Sequence, residues 1–250
     1  MTTNYMQMTV QQLLDALAAA DEKPPRELLE VCYQRREELT QPLLTILAEK
    51  WVVTAEKAAW GPEDPRWLLT VHAARLLIAW RETAALPIFA SIFADETQEN
   101  LMDWINGNLN LYGPLLVEEF VHLLERDIWG YSKTSVIEEL TTVAKRFPET
   151  RRRIITALRG VLPTLSELEG MGDESVTDDQ ISAWTFAAME LAELKDKEAI
   201  PIVERLHERE YIDEGVYGDF ENFLAMYHPE PGRRQRRTPR TFLELYGYEE

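Results

Sequence analysis

Apolar residues fall three and four positions apart along most of this chain, the spacing of one helix face. Val10, Leu13, Leu14 and Leu17 predict a first helix, with Thr9 placed to cap it. Lys23-Pro24-Pro25 breaks that helix, and Pro25 suits the first turn of a second, carried by Leu28, Leu29, Cys32 and Arg36. Leu43, Leu44, Leu47, Trp51 and Ala55 predict a longer helix closed by Gly61-Pro62. Asp64 caps the next and Pro65 opens it, with Leu68, Val71, Ala74, Leu77 and Ile78 on one face. A short helix follows over 85–93, and another over 101–111 is weakened by Gly107 and its neighbouring asparagines. Gly113-Pro114 punctuates the chain before Leu115, Val117, Phe120, Val121 and Leu124. The cleanest period is Val136, Ile137, Leu140, Val143, Ala144 and Phe147, with Glu138, Glu139, Thr142 and Lys145 away from the stripe. Pro148 restarts the chain into Ile154, Ile155, Leu158, Val161 and Leu162. Almost nothing alternates like a strand.

The pattern also repeats. His72-Ala73-Ala74-Arg75-Leu76-Leu77-Ile78-Ala79-Trp80 leads into Ala85-Leu86-Pro87-Ile88-Phe89, and Phe186 to Leu194 leads into Ala199-Ile200-Pro201-Ile202-Val203. The offset of 114 divides into three steps of about 38, a helical-repeat period. Pro87, Pro114, Pro148 and Pro201 each sit near the start of a helix, at spacings of 27, 34 and 53. The longest gap holds the Gly- and acid-rich stretch 166–180, which reads as an inserted loop; Thr177 and Gln180 form a capping box for the helix after it. One helix pair cannot bury its own apolar stripe, so like pairs stack. These signals predict an all-α solenoid of about five or six helix pairs over residues 1–228. Its pairs are irregular over 8–61 and more regular over 64–210. Residues 229–250 form an Arg- and Pro-rich tail.

The motifs Ala-Leu/Ile-Pro-Ile and Ala-Ala-x-x-Leu resemble HEAT-type repeats, including the short variety of phycobilisome-lyase-like proteins. Pro25-Arg26-Glu27-Leu28-Leu29, followed by Arg35-Arg36-Glu37-Glu38-Leu39, also resembles an uncharacterised bacterial family known only as a domain of unknown function. The resemblance covers most of residues 10–228 and implies a right-handed α–α superhelix. It implies no activity. Some members of that family end in a SEC-C motif, a small zinc site; here no cysteine follows His228, so that role does not carry over.

Composition narrows the function classes. The net charge of −18 disfavours binding phosphate backbones and favours a partner with a basic or mixed-charge surface. No apolar run approaches a membrane span, and residues 1–10 lack a secretory pattern, so the expectation is a cytoplasmic protein without a membrane role. The lone Cys32 permits no internal disulfide and reads as a small buried apolar residue. There is no G-x-x-x-x-G-K-[ST] and no G-x-S-x-G, and the four histidines are scattered without H-E-x-x-H. Gly170-Met171-Gly172 is followed by acids that would repel a pyrophosphate. No catalytic residue, metal site or cofactor is therefore expected.

Two places remain. Asp103, Trp104, Asn106 and Asn108, with Tyr112, mix amides and aromatics in a way that suits recognition of a peptide or polar ligand. Arg233, Arg234, Arg236, Arg237 and Arg240 are joined by prolines that oppose a regular helix. They could bind RNA or phosphate, dock onto the chain's own acidic surface, or link to an aromatic cap at 242–248. The expected function is a non-enzymatic scaffold or adaptor. The alternatives are a HEAT-like enzyme, of the tetrapyrrole-lyase or nucleic-acid-acting kind, and an accessory protein acting through the arginine tail.

Overall fold

A computed structural model describes residues 4–51, 65–172, 175–228 and 242–249. Among the described residues every regular element is helical: fourteen α-helices joined by short 3-10 turns. The chain divides into two compact units, one of Met1–Ile92, Thr97–Tyr112 and Thr238–Glu250, the other of Phe93–Glu96 and Gly113–Arg237.

The first unit contains α1 (Val10–Ala18), α2 (Arg26–Gln34), α3 (Arg36–Trp51), α4 (Pro65–Trp80), nearly all of α5 (Leu86–Phe93) and α6 (Glu99–Ile105). Thr9 caps α1 in a reciprocal box with Gln12, and Pro65 opens α4. Helix α4 is the hub and packs against α1, α3 and α6. Its sequence suggested one apolar face, but Thr70, Val71, His72, Ala73, Ala74, Leu76, Leu77 and Ile78 are all buried. Burial on every side is what neighbours on several sides impose, and it draws a histidine into the core.

The second unit contains α7 (Val117–Leu124), α8 (Gly130–Arg146), α9 (Arg151–Arg159), α10 (Leu165–Gly170), α11 (Asp178–Glu193), α12 (Ile200–Glu208), α13 (Glu214–Tyr217) and α14 (Phe220–Ala225). Helix α8 is central, packed by α7, α9 and above all α11. Glu139, expected on its outer side, is 1% exposed, and Ser132 and Thr141 are buried too. The stripe was real, but the helix is enclosed well beyond it.

The stretch 166–180 is also not simply a loop. Residues 165–170 form α10, capped by Thr164 and Glu167 in a reciprocal box, and Asp178 already belongs to α11. The T-x-x-E signature at 164–167 was the overlooked signal. Thr177 and Gln180 do form the cap of α11. The helix expected over 101–111 breaks after Ile105: Gly107 takes φ 80°, and a 3-10 stretch begins at Leu109. Asp64 and the helix end expected at Gly61-Pro62 lie outside the described residues.

The two sequence copies share local geometry. Arg81 and Lys195, 114 apart, both take positive φ (54° and 57°) within two residues of the ends of α4 and α11. Glu82 N–H then bonds Leu77 O at 3.0 Å, and Asp196 N–H bonds Leu191 O at 2.9 Å, the six-to-one closure of a Schellman cap. A tyrosine finishes each cap: Tyr112 Oη donates to Glu82 O at 2.9 Å, and Tyr227 Oη to Asp196 O at 2.6 Å. The Ala pairs of both copies, Ala73-Ala74 and Ala187-Ala188, are fully buried, as close helix approach requires.

Candidate functional site

Of the residues singled out around α6, four lie together at its end. Asp103 is exposed, and Trp104, Asn106 and Asn108 are half-buried. Asn106 terminates the helix, its N–H bonding Met102 O at 2.7 Å, and Asn108 N–H bonds Ile105 O at 3.1 Å. Tyr112 does not join them. It is 1% exposed, and its hydroxyl reaches the carbonyls of Leu77 and Glu82 inside the unit, so it holds the α4 cap rather than a partner. The indole of Trp104 is partly occupied as well: the Arg75 guanidinium carbon stands 5.0 Å from its ring centroid and 5.3 Å from that of Tyr246. The arginines at 233, 234, 236, 237 and 240 lie outside the described residues.

Two titratable side chains of this unit are buried and held toward their neutral forms. Cys32 is fully buried, and burial pushes its thiol up to about 12 against the opposing pull of Arg35. His72 is fully buried, and burial with the nearby Arg75 charge pulls its imidazole down to about 4. We expect Cys32 to resist an aromatic disulfide reagent at pH 8, reacting about a thousandfold slower than a free thiol, and to titrate one equivalent only after denaturation. Rapid labelling of the native chain would count against this burial.

The second unit carries a cavity of about 490 Å³ where the N-termini of α8 and α11 meet. Asp127, Lys133, Ser175, Thr177, Asp179 and Gln180 supply its polar lining, and Ile128, Val161, Ala183 and Trp184 its apolar lining. Asp179 is tied to α8, since its Oδ2 accepts the Gly130 N–H at 3.2 Å. That places a carboxylate on the first turn of a helix that has no acid of its own there. Gly130 is required by this approach, because a Cβ would stand 2.6 Å from Asp179 Oδ1. Trp184 is 4% exposed and is backed by Tyr211 at 6.1 Å between ring centroids. The cavity thus offers acceptors from two carboxylates, one ammonium group and an aromatic wall. Such a set can bind and orient a polar side chain. Among the described residues no cluster of three or more His, Cys, Asp or Glu side chains is arranged to hold a metal.

Comparison with known proteins reaches only part of this arrangement. Residues 8–109 match the model of a family described as "Protein of unknown function (DUF1186)". The match is under half of the chain. It runs from the cap of α1 to Leu109 and takes in Cys32, His72, Arg75 and Trp104, but none of the cavity in the second unit. No curated protein and no solved structure matches the chain. Among the described residues no helix is long and apolar enough to cross a membrane.

Sequence reasoning named Thr177 and Gln180 as a cap but not the cavity they line. Asp127, Lys133 and Asp179 are remote in sequence or ordinary in type. Only the side-by-side packing of α8 and α11 brings them together.

Proposed function

We propose that this chain is a non-enzymatic binding protein, a scaffold or adaptor of HEAT-like helix pairs, that seats a basic side chain of a protein partner in the α8–α11 cavity. The observation that carries this reading is the lining itself: Asp127, Asp179 and Trp184 line the same cavity. A lysine or arginine stem can lie along an aromatic face while its head meets carboxylates. Lys133 on the same wall favours a segment of mixed charge over a purely basic one. The net charge of −18 adds long-range attraction toward such a partner. The HEAT-like part of the reading is supported by the shared cap geometry at residues 81 and 195.

The test is fluorescence anisotropy with labelled glycine-spaced peptides carrying arginine, lysine, glutamate or serine. Arginine and lysine peptides are expected to bind and to weaken as salt rises. Asp127→Asn with Asp179→Asn is expected to cost about tenfold or more in affinity. The asparagine at 179 keeps an acceptor for Gly130 N–H. Equal binding of all four peptides, or an unchanged double variant, overturns the proposal.

A further inference from the structure

Residues 242–249 lie on the first unit as a small folded peptide. Their turn is closed within the segment: Tyr246 N–H and Tyr248 N–H both bond Leu243 O, at 3.0 and 3.2 Å, and Gly247 N–H bonds Glu244 O at 3.1 Å. Gly247 takes φ 70°, a left-handed conformation that favours glycine. Three of its backbone N–H groups are thus satisfied within the segment. What attaches it is side-chain recognition. Lys23 Nζ donates to Gly247 O at 2.8 Å and stands 4.2 Å from the Tyr248 ring centroid, while Tyr248 Oη donates to Pro24 O at 2.7 Å. Phe242 stacks on Tyr33 at 4.7 Å, and Tyr246 fits between His72 (5.7 Å) and Arg75 (5.3 Å).

We propose that the groove formed by Lys23, Pro24, Tyr33, His72, Arg75 and Trp104 is a docking site for an acidic, tyrosine-bearing peptide of a partner protein, with the chain's own Phe242–Tyr248 as its resident occupant. Charge fixes the partner's chemistry. The groove contributes Lys23 and Arg75, and the segment in it carries Glu244, with Glu249 following Tyr248 in the chain. The resident is also an imperfect fit. Among the described residues neither ring nitrogen of His72, nor Nε of Arg75, finds a hydrogen-bond partner, and both side chains pack beside the Tyr246 ring. Buried orphans of this kind cost stability. The seated segment closes its own turn and is held by side chains: Leu243, Leu245 and Tyr246 are buried, and aromatic and cationic contacts hold Phe242, Tyr246 and Tyr248.

The experiment uses the full chain with a site-specific protease sequence in place of residues 234–239, and a fluorescent peptide of residues 241–250 as probe. Before cleavage the resident, at an effective concentration of about millimolar, excludes the probe. After cleavage and gel filtration the probe binds. Lys23→Ala in the chain, or Tyr248→Phe in the probe, weakens binding by about fivefold or more. A scrambled peptide does not bind. The proposal is overturned if the probe fails to bind the cut chain or if the scrambled peptide binds equally. It is also overturned if circular dichroism shows helix loss on release, which would make the segment part of the core. A dimer of uncut chains growing with concentration would make a second copy the occupant and overturn the separate partner.

Discussion

Lowering the pH from 6.5 to 4 is expected to strip about 3 kcal/mol from the first unit through His72 alone, and His72→Leu is expected to abolish that loss. The imidazole is fully buried in α4, and its pKa falls from 6.5 to about 4. Desolvation is the larger cause and the Arg75 charge the second; the carbonyls of Asp21 and Ala20 pull the other way without closing a hydrogen bond on either ring nitrogen. The sign follows from proton counting. Between the two pKa values the unfolded chain holds the proton and the folded chain does not. The stability is therefore fully present above pH 6.5 and is lost as pH falls toward 4. At pH 7 the neutral ring is itself a burden, because its nitrogens are buried and unpaired, so leucine there costs little or stabilises. Urea unfolding from pH 7 to 4, with hydrogen exchange of α4 amides, checks both halves. An acid limb that is the same in wild type and His72→Leu removes the assignment. Glu190 provides a contrast in the second unit: burial raises its pKa despite Lys145 at 3.4 Å, so its protonation favours the fold as pH falls.

That histidine illustrates how far the sequence can be read. Local signals were legible wherever they are local in physics. The caps at Thr9 and Thr177 and the prolines opening α4 and α12 depend only on near neighbours. Enclosure is not local. Helices α4 and α8 show one apolar stripe in sequence, yet their other faces are covered by helices distant in the chain, which buries His72 and Glu139. A polar residue off the stripe looks solvent-facing until the covering helix is known.

The candidate sites follow the same logic. Trp104 was legible as an unusual aromatic among amides. Its partner Arg75 was visible only as part of a repeat, and Tyr246 only as part of a tail. An aromatic after an asparagine-rich stretch gives no hint that the Tyr112 hydroxyl turns inward to cap α4. The α8–α11 cavity left no trace beyond the cap of α11, since its charged members belong to different segments.

Arg159→Ala is expected to destabilise the second unit by about 2–3 kcal/mol, whereas Arg159→Met combined with Asp196→Leu is expected to stay within about 1 kcal/mol of wild type. Asp196 follows the Schellman cap of α11, and its side chain is only 6% exposed. Arg159 at the end of α9 grips it with two nitrogens, Nε to Oδ2 at 2.6 Å and Nη2 to Oδ1, and its remaining nitrogen reaches Glu198. Removing the arginine leaves a nearly buried carboxylate without its partner, which is the costly half of breaking an ion pair. Arg159 is 35% exposed, so water repays some of the loss and the lower part of the range for buried pairs applies. Replacing both groups removes the desolvation penalty along with the attraction. The backbone roles of Asp196 survive, because Leu191 O and the Tyr227 hydroxyl engage its main chain. Glu198 is 78% exposed and needs no partner. A double-mutant cycle followed by chemical denaturation separates the cases. If the double variant falls as far as Arg159→Ala, the interaction is a packing contact, and the orphaned carboxylate is not what destabilises the single variant.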